Sequence, residues 1–236
     1  MNTPMLTVDG PVGAGKGAIS QRVARHLGWH LLDSGALYRL LALDAARAGG
    51  SMDDEATLAS RAHELDVVFQ GAEDGDSVRV LLGGNDVSLE IREEECGNNA
   101  SCVAALPAVR HALLDRQRAF LRPPGLVADG RDMGTVVFPD ATAKIFLTAS
   151  AEERAQRRHK QLMQKGIGVS LRDLLRDIEA RDSRDKERAA SPLVPAEDAV
   201  IIDTTGVEID AVVNRVLEVV GARGVLVEEG SIPVVD

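Results

Sequence analysis

The run Met5, Leu6, Thr7, Val8 leads directly into Gly10-Pro11-Val12-Gly13-Ala14-Gly15-Lys16-Gly17-Ala18, and Ile19, Val23, Ala24 and Leu27 follow at helical spacing. No other stretch limits the possible folds so strongly. An apolar strand, a glycine-rich turn of the form Gly-x4-Gly-Lys and an amphipathic helix together make a phosphate-binding loop. Successive backbone N–H groups can close around phosphate oxygens only where side chains are absent, and the helix that follows aims its positive end at the anion. Lys16 supplies a mobile point charge. The residue after it is Gly17, where the common motif has a Ser or Thr hydroxyl for magnesium, so a metal here is expected to be held by phosphates, water or a distant carboxylate.

The rest of the chain predicts an α/β fold around that loop. Apolar runs at Trp29–Leu32, Leu126–Ala128, Lys144–Thr148 and Ala199–Ile202, separated by helical periodicity, give five parallel strands flanked by helices. Val67–Phe69, Val78–Leu82 and Val87, divided by the turn-rich segments GAEDGD and GGND, read instead as a small antiparallel sheet inserted into the parallel one. Ser51–Leu65 reads as a capped helix. Ile91–Arg122 reads as helix interrupted at Pro107, with Ser101 and Arg110 on it. Ser150-x-x-Glu153 opens a further helix as a capping box, and Ser170-x-x-Asp173 starts the next, with Leu171, Leu174, Leu175 and Ile178 as its buried stripe.

Charge narrows the function classes. The net charge is −10, and residues 51–100 alone hold 13 acidic against 3 basic side chains, whereas residues 152–188 hold 11 Lys or Arg against 8 Asp or Glu. An acidic protein with one arginine-rich segment suits small polyphosphates better than a nucleic-acid backbone. No apolar run approaches the roughly 20 residues of a membrane span, and the first residues lack a basic and then apolar leader, so a cytoplasmic protein with no membrane partner is expected. Cys96 and Cys102 carry no metal-ligand spacing and are read as reduced thiols.

Two further strand ends carry chemistry. Asp33-Ser34 closes the second strand and opens a helix bearing Tyr38 and Arg39; these side chains either face a ligand at the carboxyl edge of the sheet or serve as a cap and ordinary surface. Asp129-Gly130-Arg131-Asp132 closes the third. Asp129 beside a phosphate loop is placed like a carboxylate that orients Mg²⁺, directly or through water, and Arg131 and Asp132 either serve a ligand or pair with each other. Phosphate loop, inserted sheet and arginine-rich segment together suggest a nucleotide-dependent phosphotransferase in which the insert binds the acceptor and the arginines form a lid. No Asn-Lys-x-Asp string for guanine occurs, which argues against a GTPase.

The strings GPVGAGKG (10–17), LLDSGALYR (31–39), ADGRDMGTVVFPDA (128–141), KIFLTAS with EERAQRR (144–158) and RDSRDKERAASPLVPAEDA (181–199) resemble, in order and spacing, those of bacterial cytidylate kinases, over residues 5 to about 220. The resemblance implies one P-loop NTPase-type kinase domain over 1–223. It would carry a monophosphate-binding insertion at about 64–98, a lid at about 151–169 and a tail at 224–236. It implies transfer of the ATP γ-phosphoryl group to CMP or dCMP with Mg²⁺, by a monomer with no nucleic-acid partner. By motif position, Gly10 to Ala18 would bind ATP, and Ser34, Ser101, Arg110, Arg131 and Asp132 would surround the cytosine base. Tyr38 would pack beside the acceptor, Arg39, Arg131 and Arg188 would hold its phosphate, and Arg181 and Asp185 would lie near the sugar. Arg157 and Arg158 would close from the lid onto the transferring phosphate, with Lys16 below it. Kinases for other nucleoside monophosphates, such as UMP, share the loop and lid, and a non-catalytic nucleotide-binding module is the reading from another class.

The chain departs from the family pattern at Val12, where Ser is usual, and at Ala18, where Thr is usual. A hydroxyl at position 18 would add one hydrogen bond to the donor α-phosphate, a contribution of roughly 1.5 to 3 kcal/mol. Ala18→Thr is therefore expected to lower the KM for ATP, and steady-state kinetics returning an equal or higher KM would contradict this reading.

Overall fold

The computed structural model describes residues 3–71, 78–164 and 166–225. Most of the expected Gly71–Asp76 turn, Lys165 within the expected lid, and the tail beyond residue 225 lie outside the described residues. The chain divides into two compact units. One takes in Asp33 and the residues before it, Arg118–Glu187, and the described residues from Ser191 on; the other takes in Ser34–Gln117 and Arg188–Ala190.

The first unit is built on β1 (Met5–Asp9), α1 (Lys16–Leu27) and β2 (His30–Asp33) and resumes after the second unit. The second unit opens with α2 (Ser34–Arg47) and α3 (Glu55–Glu64), continues through β3 (Val67–Gly71), β4 (Val78–Leu82) and β5 (Asn85–Asp86), and ends with α4 (Glu94–Val103) and α5 (Pro107–Arg118), whose last residue belongs to the first unit. The first unit then adds β6 (Leu126–Gly130), a π-helical turn at Met133–Val137, β7 (Ala143–Thr148), α6 (Ala151–Gln164), α7 (Leu171–Glu187), β8 (Val200–Asp203) and α8 (Ile209–Ala222).

Five parallel strands lie in the order β2-β6-β1-β7-β8. Strands covered on both faces need apolar side chains at nearly every position, which is why Leu6-Thr7-Val8 and Leu126-Val127-Ala128 read as unbroken buried runs. Leu6, Val8, Val127, Ile145 and Leu147 pack with Ile19 and Val23 of α1 and with Val212, Val216 and Val220 of α8 as one core. In the second unit, β3, β4 and β5 form a separate antiparallel sheet. Five parallel strands with helices and a small antiparallel sheet agree with the expected fold class.

Parallel register lines up the strand ends. Asp33 stands opposite Asp129, Val8 opposite Asp129, and Asp9 opposite Gly130. Three carboxylates thus share the carboxyl edge of three adjacent strands. From β1 the chain goes to β2 and β6 on one side and then crosses to β7 and β8 on the other, and such a reversal is where open parallel sheets bind ligands.

Several local expectations shift. The helix expected at Ser51 begins at Glu55, because Asp54 accepts from the Thr57 N–H (3.2 Å) while the Ser51 hydroxyl accepts from Asp53 N–H two residues on. Pro107 starts α5, a position where its missing N–H costs nothing. Only half of the expected capping box at Ser150 forms, and the helix start at Ser170 is built alike. Ser150 Oγ accepts from Glu153 N–H at 3.1 Å and Ser170 Oγ from Asp173 N–H at 3.4 Å, but the Glu153 and Asp173 carboxylates turn to Arg157 and Arg176 one helical turn on. In the expected stripe of α7, Leu174 and Ile178 are buried and Leu171 is exposed. Among the described residues, no helix is long and apolar enough to cross a membrane.

Gly10 joins β1 to the loop at φ +148°, and a Cβ there would stand 2.1 Å from the carbonyl oxygen of Leu147 in β7. That oxygen is backbone of a central strand and cannot retreat. Gly10→Ala is expected to lower the unfolding free energy by at least about 3 kcal/mol in urea titration; a loss below about 1 kcal/mol would show that the loop can leave β7 freely.

Candidate active site

The loop after β1 folds as a cradle of backbone donors. Gly15 caps α1 in the left-handed region (φ 89°) without any side-chain cap, so the first N–H groups of the helix keep their capacity for an anion. Gly13, also left-handed at φ +79°, lies against α6, where a Cβ would meet Arg154 Cβ at 3.0 Å. Lys16 is only 6% exposed and bends back so that Nζ donates to the Pro11 carbonyl at 2.9 Å, across the mouth of its own loop. Burial, reinforced by the Arg131 charge, pushes the Lys16 ammonium down to about 7 against the pull of Asp129, Asp185 and Asp9.

The carboxyl edge of the sheet supplies the surroundings of that lysine. Both Asp9 oxygens are engaged: Oδ1 accepts from Met133 N–H and Oδ2 from Gly134 N–H, each at 2.8 Å, which anchors the π-helical turn to the end of β1. Burial raises the Asp9 carboxyl to about 7 although these two bonds oppose the shift; Asp132 adds to it and Lys16 opposes it. Asp129 is buried, with Oδ2 3.6 Å from where a Cβ on Gly17 would lie, so the carboxylate faces the first turn of α1.

Arg131 sends Nε to Asp185 Oδ2 at 2.9 Å, a partner on α7 that the reading of Arg131 and Asp132 as chain neighbours did not name. Burial works against the Arg131 charge, but Asp185 outweighs it, with help from Asp129 and Asp33, so the guanidinium is held even more firmly charged than usual. Asp132 stands at the head of the π-helical turn, its carbonyl accepting from Val136 and Val137 N–H.

Arg154, absent from the sequence-derived site, connects the loop with α6 and α7. Its side chain is 3% exposed; Nε donates to Ala149 O (3.0 Å), Nη1 to Val12 O (2.9 Å), and Nη1 and Nη2 to the two Asp182 oxygens (3.1 and 2.5 Å). A planar guanidinium can hold a carboxylate bidentately and still reach two carbonyls, which an ammonium cannot. Around it Ala155, Leu162, Leu174 and Ile178 close the contact between α6 and α7. Arg157 donates through Nε to Glu153 (2.9 Å), through Nη1 to Thr204 Oγ1 (3.1 Å) and through Nη2 to the Thr204 carbonyl. Buried Thr204 lies within hydrogen-bonding reach of Ala14 O (3.3 Å) and Thr148 O (3.2 Å). Arg158 follows on α6, and Arg181 shares α7 with Asp185.

The second unit holds the other expected residues. Ser34, Tyr38 and Arg39 lie on α2, Ser101 on α4, Arg110 on α5, and Arg188 follows α7. The Arg110 guanidinium lies 5.7 Å from the centroid of the Tyr38 ring and donates to Ala104 O at 3.0 Å. Cys96 Sγ donates to the Arg39 carbonyl at 3.4 Å. Ser34 donates to buried Gln117, another residue that the sequence reading passed over. The structure therefore gathers the loop, Lys16, Asp129, Arg131 and Asp185 in one unit, and Ser34, Tyr38, Arg39, Ser101, Arg110 and Arg188 within the other. It adds Asp9, Arg154, Asp182, Thr204 and Gln117. Only Asp182 and Arg154 had a visible signal, as charges within the strings RDSRD and EERAQRR.

A protein-family model described as cytidylate kinase matches residues 6–222. The chain is 59% identical over 221 residues to the cytidylate kinase of Shewanella frigidimarina, covering 94% of this chain and 96% of that protein. It is 57% identical over 225 residues to the cytidylate kinase of Pseudomonas fluorescens, covering 95% and 98%. Among solved structures, TT1252 from Thermus thermophilus aligns over 96% of this chain and 100% of its own, at 19% identity and a TM-score of 0.46.

The displaced pKa values of Asp9 and Lys16 act on stability in opposite directions. Asp9 binds its proton more tightly folded than unfolded, so its contribution is present below pH 3.8 and is lost as pH rises through about 7. Lys16 binds its proton less tightly folded, so stability attributable to it is present above pH 10.5 and is lost as pH falls through about 7. The ligand-free protein is expected to gain stability between pH 7 and 10.5 relative to Lys16→Met. Urea midpoints measured across that range check this, and parallel profiles for the two proteins would contradict it.

Proposed function

The chain belongs to the cytidylate kinase family, and from that premise we propose that it transfers the γ-phosphoryl group of ATP to CMP or dCMP, giving ADP with CDP or dCDP. The observation that carries the reading is the donor-lined loop with Lys16 set against buried Asp129 and Asp185 and half-buried Arg131 near the carboxyl edge of the sheet. Phosphoryl transfer involves little covalent work by the protein. It needs donor and acceptor aligned, spreading negative charge neutralised and water kept away.

The loop Gly10–Ala18 binds the donor phosphates through backbone N–H groups. Lys16 gives up Pro11 O and turns its ammonium to the phosphate oxygens; the arriving anion restores the charge that burial disfavours. Arg131, kept charged and oriented by Asp185, neutralises the acceptor phosphate together with Arg39 and Arg188. Arg157 and Arg158 act on the transferring group, and Arg157 reaches it only by releasing Thr204 and Glu153. Arg181 and Asp185 lie near the sugar.

Asp129 suits Mg²⁺ in chemistry, being a buried hard-oxygen carboxylate turned to the first turn of α1. Among the described residues no cluster of three or more His, Cys, Asp or Glu side chains could hold a metal, so phosphates and water would complete its shell. Bound there, Mg²⁺ would neutralise charge on the donor phosphates.

Asp132, with Ser34, Ser101, Arg110 and Tyr38, selects the base. A carboxylate accepts from the exocyclic N4 amine of cytosine, whereas uracil presents a carbonyl at that position and is repelled. Residues 1–223 act as one kinase domain with an acceptor-binding insertion and a lid, and the protein works as a cytoplasmic monomer without nucleic-acid or membrane partners.

ADP release measured against a panel of nucleoside monophosphates, with Lys16→Met as the inactive control, tests the assignment. CMP and dCMP are expected to exceed all others, and Asp132→Ala is expected to lose about 1 to 3 kcal/mol of discrimination against UMP. A preference for UMP would reassign the acceptor, and no turnover with any monophosphate would favour a binding module.

A further inference from the structure

Gln117 lies at the end of α5 with 1% of its surface exposed, and its two partners settle which way its amide points. Nε2 lies 3.3 Å from the Leu113 carbonyl oxygen, which can only accept, so the amide must present its N–H₂ on that side. The oxygen Oε1 therefore faces Ser34 Oγ, 2.7 Å away. An amide oxygen cannot donate. The proton in that contact is the serine's, and a hydroxyl has only one. Ser34, itself 3% exposed, is left with lone pairs alone for any third group.

We infer that Gln117 is a positioning residue that sets base specificity: by taking the only proton of Ser34, it makes Ser34 an obligate acceptor toward the pyrimidine. The inference rests on the proposed function, in which Ser34 lies beside the base. On the hydrogen-bonding edge of cytosine only the N4 amine donates, since N3 and O2 accept, so an acceptor-only Ser34 can pair with N4 alone. Uracil in the same position places O4 against the same lone pairs. Turning the Ser34 proton toward O4 would break the bond to Gln117 and leave a buried amide oxygen without its donor, which is unfavourable. Discrimination is thus built into a residue that never touches the substrate.

The test is kcat/KM for CMP and UMP in the wild type, Gln117→Met, Gln117→Glu, Ser34→Ala and the Ser34→Ala/Gln117→Met double variant, with thermal unfolding to confirm folding. Gln117→Met frees the Ser34 proton and is expected to narrow the CMP-to-UMP ratio roughly 5- to 100-fold, mainly by improving UMP. Gln117→Glu retains an oxygen acceptor for Ser34 and is expected to keep a ratio nearer the wild type. In the Ser34→Ala background the Gln117 substitution is expected to change the ratio no further, which a purely structural role would not produce. A folded Gln117→Met protein that loses CMP and UMP activity equally overturns the inference, as does additional narrowing in the double variant. If Gln117→Met does not fold, an unchanged ratio in Ser34→Ala overturns it instead. A wild type that turns over CMP but fails these comparisons removes the inference alone, whereas a wild type inactive on CMP removes the proposed function and the inference with it.

Discussion

Lys16 is buried with Arg131 for company and Asp9, Asp129 and Asp185 as counter-charges, and the chemistry of the first unit depends on that crowding. Desolvation makes every charge in such a cluster expensive unless matched, and burial with the Arg131 charge close by weakens the lysine side. The Lys16 ammonium donates to Pro11 O at 2.9 Å, within its own loop. On the proposed function, a phosphate entering the loop meets backbone N–H groups already held in place, and Lys16 has only to turn from Pro11 O. Such groups need little reorganisation when charge builds up on a transferring phosphoryl group.

The parallel sheet makes this crowding possible. Register alone brings the ends of β2, β6 and β1 level, so that Asp33, Asp129 and Asp9 share one edge without any loop having to carry them there. Close approach of the loop to β7 at Gly10 then presses the donors onto the same edge. Asp9 shows the value of the arrangement, since a carboxylate raised to about 7 by burial is held by two backbone N–H groups of the turn that follows Asp132. A site residue and its support are thus separated by more than a hundred positions in sequence and by one hydrogen bond in space.

That separation explains what was readable in advance. Strands, helices, the inserted sheet and the loop follow from periodicity and glycine placement, which are local, and the chain's likeness to a known family rests on strings that are local too. Arg131, Arg154, Arg157 and Ser34 reach Asp185, Asp182, Thr204 and Gln117, contacts that no spacing within one element sets. The helix starts at Ser150 and Ser170 are a smaller case. Ser150 and Ser170 cap as their sequence pattern demands, but each acidic partner faces a choice between the cap N–H and an arginine a turn away, and the arginine wins. The π-helical turn at Met133–Val137 carries no periodic signal of its own, because its anchor is Asp9.

Arg154 also accounts for the departure at Val12. A serine is usual there in the resembling family, yet the structure draws on this residue in two ways that no hydroxyl would improve. The Val12 carbonyl receives Arg154 Nη1 at 2.9 Å, a backbone contact open to any side chain. The Val12 side chain packs against Ala155, Leu162, Leu174 and Ile178, the apolar contact between α6 and α7. Replacing a polar side chain by a β-branched apolar one at such a position adds buried area without leaving a donor unmet. The buried Arg154–Asp182 pair then fixes the loop against both helices through the main chain. Loop geometry is held by an arginine on the neighbouring helix, through a main-chain contact that does not depend on the side chain at position 12.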